Sequence, residues 1–173
     1  MKSKIVFTIA FLIIVISVNG QVASTWDNWS WLIGNWVGEG SGQPGKGGGS
    51  FTFKTDLDQK ILIRKSHSDY PATANKPIVI HDDLMVIYPD NSGSPVKAIY
   101  FDNEGHTINY SITFSDKTII FTSDKTLNIP VFRLTYALME DQQVNTKFEI
   151  SMDGKNFNTY VEGKSTRIAL QTN

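Results

Sequence analysis

The sequence predicts an all-β protein, an antiparallel up-and-down barrel of about ten strands, closed or nearly closed. Three observations carry that expectation. After residue 30 polar and apolar residues alternate with a period of two, and turn residues interrupt the alternation every 8 to 12 positions. No stretch of ten or more residues sustains a helical period, apart from a short turn near 23–30. At 173 residues and 40% hydrophobic content, the chain suits one domain with one core. A meander of ten strands curls, and closing it removes the exposed edges.

The first segment stands apart. Lys2 and Lys4 precede a nearly unbroken apolar run of 14 residues at 5–18, and Val18 and Gly20 suit the small-residue positions of a signal-peptidase site. Residues 1–20 therefore read as a cleaved secretory signal, leaving a single barrel domain at 21–173 that is secreted or periplasmic. The run is shorter than the roughly 20 residues of a membrane-spanning helix, so no stable span is expected after cleavage. Two Asn-x-Ser sequons, at Asn28 and Asn109, matter only in a host that glycosylates its exports.

The predicted strands are 31–39, 51–57, 60–68, 78–88, 96–101, 107–114, 118–123, 131–138, 146–152 and 157–162, with 164–170 extending the last. Turn chemistry separates them at 89–93, 102–105, 115–116, 139–143 and 153–156. Alternation assigns faces. Ile108, Tyr110, Ile112 and Phe114 point inward with His106 in phase, and Phe132, Leu134, Tyr136 and Leu138 do the same. Arg133 then shares the outer face with Glu149. Over 61–67 both faces are almost equally amphipathic, so the faces of His67 and His81 stay open.

All four tryptophans, Trp26, Trp29, Trp31 and Trp36, fall within eleven residues, a cluster suited to plugging one end of a core or flooring a ligand pocket. Seven glycines follow between 38 and 49. With no Gly-Lys-Ser/Thr ending and no following helix, they do not make a phosphate loop. The part at 38–42 reads as a bend at a barrel corner, and 43–49 as a loop near the mouth.

Composition excludes much chemistry. There is no cysteine, hence no disulfide, thiolate nucleophile or thiolate metal site. A net charge of −1 gives no basic field for nucleic acid. Imidazole chemistry is confined to His67, His81 and His106. His81-Asp82-Asp83 lacks a third ligand at metal-binding spacing, so no metal site is predicted.

Gly34-Asn35-Trp36, preceded by a short aromatic segment, resembles the Gly-x-Trp signature of lipocalin-like (calycin) barrels. The resemblance implies a cation from the last strand packed on the Trp36 ring, with Arg167 matching and Lys164 second. The longer opening from Gly34 to Gly42 is similar to that of nitrobindin-type haem-binding barrels. The blocks Tyr100-Phe-Asp-Asn-Glu-Gly-His106 and Phe157-Asn-Thr-Tyr-Val-Glu-Gly-Lys164 resemble uncharacterised bacterial domains of lipocalin-like shape. Together these cover most of 30–168. Nitrobindin-type barrels place the haem-ligating histidine near the C-terminal strand, and this chain has none after His106. The haem function is not carried over.

The leading expectation is a non-catalytic binding barrel that holds a small apolar or aromatic molecule. Its contact residues would be Trp36, His67, His81, Tyr100, His106, Tyr110 and Tyr136. No cofactor and no nucleic-acid partner is predicted. Three alternatives stand beside it: haem with a different axial ligand, an enzyme pairing His106 with Asp83 or Asp102 at the mouth, and a filled barrel acting through protein contacts.

Overall fold

The computed structural model describes residues 26–39, 48–70, 72 and 77–168. The predicted signal at 1–20 and most of the glycine run lie outside the described residues. Ten antiparallel strands follow one another around a closed barrel: β1 (Gly34–Gly38), β2 (Ser50–Asp56), β3 (Ile61–Tyr70), β4 (Val79–Tyr88), β5 (Lys97–Asp102), β6 (Thr107–Ser115), β7 (Thr118–Ser123), β8 (Val131–Leu138), β9 (Val144–Ser151) and β10 (Asn158–Ile168). The predicted fold class is therefore the observed one.

The largest departure from the sequence reading is the start of β1; other strand ends shift by one or two residues, and β10 takes in the expected extension. β1 begins at Gly34 because the residues before it fold into a 3₁₀ turn at Asp27–Trp29, where the Leu32 and Ile33 amides donate to the Trp29 carbonyl. β10 runs through to Ile168 as one strand, with a bulge between Thr159 and Val161 that lets it follow the curve of the wall.

Up-and-down connectivity gives the barrel two unlike ends. The 3₁₀ turn closes the lower end. Trp29 is fully buried there, with ring centroids 5.6 Å from Phe114, 5.8 Å from Phe121 and 6.3 Å from Phe53. Trp26 is also buried and donates its indole N–H to the Gln59 carbonyl at 2.8 Å. This plug, together with Leu32, Leu62, Ile87 and Ile119, fills the lower half with apolar side chains, the main source of stability in a chain without disulfides.

The seam is held by β1. Trp36 lies opposite Arg167 of β10 on one side and Phe51 of β2 on the other. The Arg167 guanidinium sits over the Trp36 ring, 4.4 Å from its centroid, and donates to the Ile33 carbonyl at 2.5 Å and to that of Trp31. Trp36 donates its indole N–H to the Leu32 carbonyl at 2.8 Å. Gly34 has φ +144°, and a Cβ there would run into Arg167 Nη1, so the approach of the guanidinium requires glycine. On the opposite wall Arg133 Nε meets Glu149 Oε2 at 2.7 Å, and its guanidinium covers Phe157 at 3.8 Å. That hydrogen bond holds the Glu149 carboxyl below its ordinary range.

Arg167 contributes through packing and two carbonyl contacts. Arg167→Met is expected to lower unfolding free energy by about 1–2 kcal/mol in urea titrations, and Arg167→Lys to recover only part, lacking the planar fork.

Candidate functional site

Above the aromatic plug, the inner wall turns polar. On β3 the inward set is Leu62, Arg64, Ser66 and Ser68, fixed by register opposite Ile87, Met85, Asp83 and His81 of β4. Arg64 thus projects into the barrel. Its Nη1 is ion-paired with Asp83 Oδ1, and only 8% and 5% of the two side chains remain exposed. The guanidinium lies 5.9 Å from the Tyr136 ring centroid and 6.0 Å from that of Phe51. Burial works against the charge on Arg64, but the neighbouring Tyr136 and Asp83 outweigh it and raise its pKa. Burial pushes the Asp83 carboxyl up, opposed by Arg64 and His81.

Three further polar atoms define this layer. Arg64 Nε, Tyr136 Oη and Thr146 Oγ1 are all buried without a hydrogen-bond partner. The Tyr136 hydroxyl lies near the guanidinium but closes no well-formed hydrogen bond with it, and burial pushes its pKa up to about 12. Tyr136 is the cross-strand neighbour of Thr146, and Thr146 that of Gly163 on β10. A Cβ built on Gly163 would meet nothing within 4 Å. The inner face of β10 is therefore open where the unpaired atoms gather. One more unpaired atom, Trp29 Nε1, belongs to the lower plug.

The upper rim carries a hydrogen-bonded chain. His81 Nε2 is 3.1 Å from Tyr100 Oη and its Nδ1 is 3.0 Å from Glu104 Oε1. Tyr100 donates to Asp102 Oδ2 at 3.2 Å, and His106 Nδ1 is 2.8 Å from the same oxygen. Asp102 Oδ1 accepts the Glu104 and His106 amides at 3.0 and 2.9 Å, which makes this carboxylate the organiser of the β5–β6 turn. Desolvation would raise its pKa, but the donors from His106 and Tyr100 prevail and lower it. Burial also pushes the Tyr100 and Tyr110 hydroxyls up, so both are donors at neutral pH.

The structure distributes the sequence-selected residues over three levels. Trp36, Tyr110 and Tyr136 are buried in the core. His81 and Tyr100 line the upper inner wall, and His106 stands at the rim with 62% of its side chain exposed. His67 lies on the outer face, 2.6 Å from Asp82. Lys164 is also outside, leaving Arg167 as the residue on Trp36. Of the two carboxylates considered for His106, Asp102 is its partner, whereas Asp83 belongs to Arg64 and lies 3.7 Å from His81. Arg64 itself escaped the sequence reading. Its in-phase position with Leu62 was the available signal, and the equal amphipathicity of the two faces masked it.

Two surface hollows accompany this interior. One of about 580 Å³ is bordered by Thr52, Lys65, His67, Asp82, Leu84 and Phe101 on the outer face of β2–β5. The other, about 320 Å³, lies by Tyr88, Lys97 and Asn109. Most of the first hollow's border is outward-facing, but the inward Phe51, Ser66, Asp83 and Asp102 also border it, and the buried Ala98 and Tyr110 border the second.

Fold and site together define a closed ten-stranded antiparallel barrel with a buried charged pair facing its axis. No protein-family model matches the chain, and no curated protein matches its sequence. Among solved structures, it is similar to the crystal structure of Rv2717c from M. tuberculosis. The TM-score is 0.56 at 11% identity, covering 85% of this chain and 99% of that one. The likeness is one of fold.

Two outcomes follow from this geometry. An unpaired buried hydroxyl costs roughly 1–3 kcal/mol, so Tyr136→Phe is expected to stabilise the free protein, raising Tm by about 2–12 °C in thermal denaturation. The hydrogen bond with Asp82 raises the His67 pKa above 6.5. The stabilisation from that pair is complete below the unfolded value and disappears as pH rises through the raised midpoint. An NMR titration should find the His67 midpoint above 6.5 and see it fall back toward that value in Asp82→Asn.

Proposed function

We propose that the protein is an exported, lipocalin-like binding barrel that takes a small, mostly apolar molecule into its upper half. One observation carries this reading: three buried polar atoms on Arg64, Tyr136 and Thr146 lack partners beside the open inner face at Gly163. Buried polar groups almost always find a partner. A guest in the barrel supplies it.

The surroundings suit such a guest. Tyr136 stands on an aromatic floor, with Phe51, Phe53 and Phe121 at 5.5, 5.3 and 6.0 Å. Above, Phe132 and Phe148 stack at 5.9 Å, and Tyr160 meets Phe148 edge-on at 6.2 Å. In this reading the guest's apolar body lies between these layers, with its polar end toward Tyr136. The Gly34-Asn35-Trp36 segment with Arg167 over the Trp36 ring supports the lipocalin-like assignment. Haem is left out of the reading because His67 faces outward, both ring nitrogens of His81 are engaged, and the buried tyrosines are held protonated. Export rests on the basic start and the apolar run at 5–18.

Native mass spectrometry of the protein purified from its own host is the test of binding. The expected result is a non-covalent adduct that disappears on denaturation. A bare protein mass under native conditions, with only waters in the upper barrel of a crystal structure, would overturn the reading. N-terminal sequencing of the same sample should begin at or near Gln21, and a chain that retains residues 1–20 refutes export by cleavage.

A further inference from the structure

We propose that the β7–β8 and β9–β10 loops dock the barrel on a phospholipid surface, with Leu127, Ile129 and Met152 entering the interface. Among the described residues, every exposed large hydrophobic side chain except Val37, Leu57 and Ile168 lies at the upper end, around the mouth. The most exposed stand on these two loops, Leu127 at 87% and Met152 at 81%, with Ile129 at 53%. Side chains so exposed project singly, with no neighbour packed along their flanks. A protein partner reads a contiguous patch whose members shield one another, whereas separate projecting points suit a soft interface that closes around each of them.

The turns hold these side chains out in fixed positions. Asp153 accepts the Ser151 hydroxyl at 2.9 Å, the Lys155 and Asn156 amides at 2.8 Å each, and Asn156 Nδ2 at 2.7 Å. Met152 is thus presented on an ordered turn, and little backbone entropy is lost when it inserts. A Cβ built on Gly154 would come 3.9 Å from Lys125 Nζ and 3.5 Å from Val131, so the two loops stand side by side. Charge then selects the lipid. Lys125 and Lys155 flank the apolar tips and form no ion pair among the described residues. Asp153 is taken up by its own turn, and Asp124 sits at the foot of its loop, where its amide donates to the Asn109 carbonyl. Two lysines beside inserted apolar side chains lay their stems along the interface and place their ammonium groups among the phosphates. The opposite arc of the mouth carries Asp69, Asp82, Asp102 and Glu104 with the three histidines, so an anionic surface meets the β7–β10 side first. This docking is independent of what the barrel holds.

The chain has no cysteine, so Met152→Cys creates a single attachment point for an environment-sensitive fluorophore, and Leu57→Cys on the lower turn creates the control. Each variant, purified from its own host, is mixed with vesicles of phosphatidylcholine and phosphatidylglycerol. The label at 152 is expected to shift to the blue and to be quenched by doxyl-labelled lipid, and the label at 57 to do neither. No response at 152, or an equal response at both positions, overturns the proposal. Leu127→Asn combined with Ile129→Asn should lower vesicle partitioning by about tenfold or more. Lys125→Gln combined with Lys155→Gln should lower it about fivefold on these vesicles and leave pure phosphatidylcholine unchanged. All four side chains are exposed, so Tm should hold in both double variants. Partitioning indifferent to the Leu127 and Ile129 changes overturns the assignment. A dimer in sedimentation that the same changes dissociate, with no vesicle binding by the parent, would give the tips to a second copy and overturn it too. None of these readouts involves the guest: an empty barrel that docks upholds the docking, and a loaded barrel that ignores vesicles refutes the docking alone.

Discussion

Everything inside this molecule depends on one short strand closing the sheet. A ten-stranded meander has two free edges until its first and last strands meet, and here the meeting is made by five residues, Gly34–Gly38. β1 forms four residue pairs with β10 and four with β2. So short a ladder is reinforced by side chains: Trp36 reaches into the core while Arg167 covers its ring and ties down the carbonyls of the preceding turn. Closure creates the water-poor interior in which tyrosine hydroxyls are held protonated and a buried Arg–Asp pair matters.

Within that enclosure the two halves obey different rules. The lower half is an aromatic and aliphatic plug whose members contact one another edge to face, an arrangement favoured by the ring quadrupoles. The middle layer holds an Arg–Asp pair with further polar atoms left unmatched. Hydrophobic residues of the same volume would do as well or better for stability, since desolvating two charges offsets most of their attraction.

The sequence was informative where period-two alternation met unambiguous residues. Ile108, Tyr110 and Ile112, or Leu134 and Tyr136, could face only one way, and they do. The outward Arg133 and Glu149 pair was readable for the same reason. β3 was different: Ile61 and Ile63 on one face compete with Leu62 on the other, and both faces then run into charge. Only the neighbouring strands decide between them, because Met85 and Ile87 of β4 are inward and pair with Arg64 and Leu62. A local pattern cannot carry that non-local choice. The first predicted strand also began too early, since Trp31, Leu32 and Ile33 have the composition of a strand but are drawn into a 3₁₀ turn by the Trp29 carbonyl.

The pairing of Asn35 with Ile168 has a kinetic meaning. Every other ladder joins strands adjacent in sequence and can zip through a short loop, whereas this one brings together the two ends of the domain. The entropy of closing that longest loop must be met before Trp36 finds Arg167. A chain in which β10 has not yet paired with β1 can therefore form the other nine ladders and still remain an open, edge-bearing sheet. Until that pairing forms, the edges of β1 and β10 stay exposed.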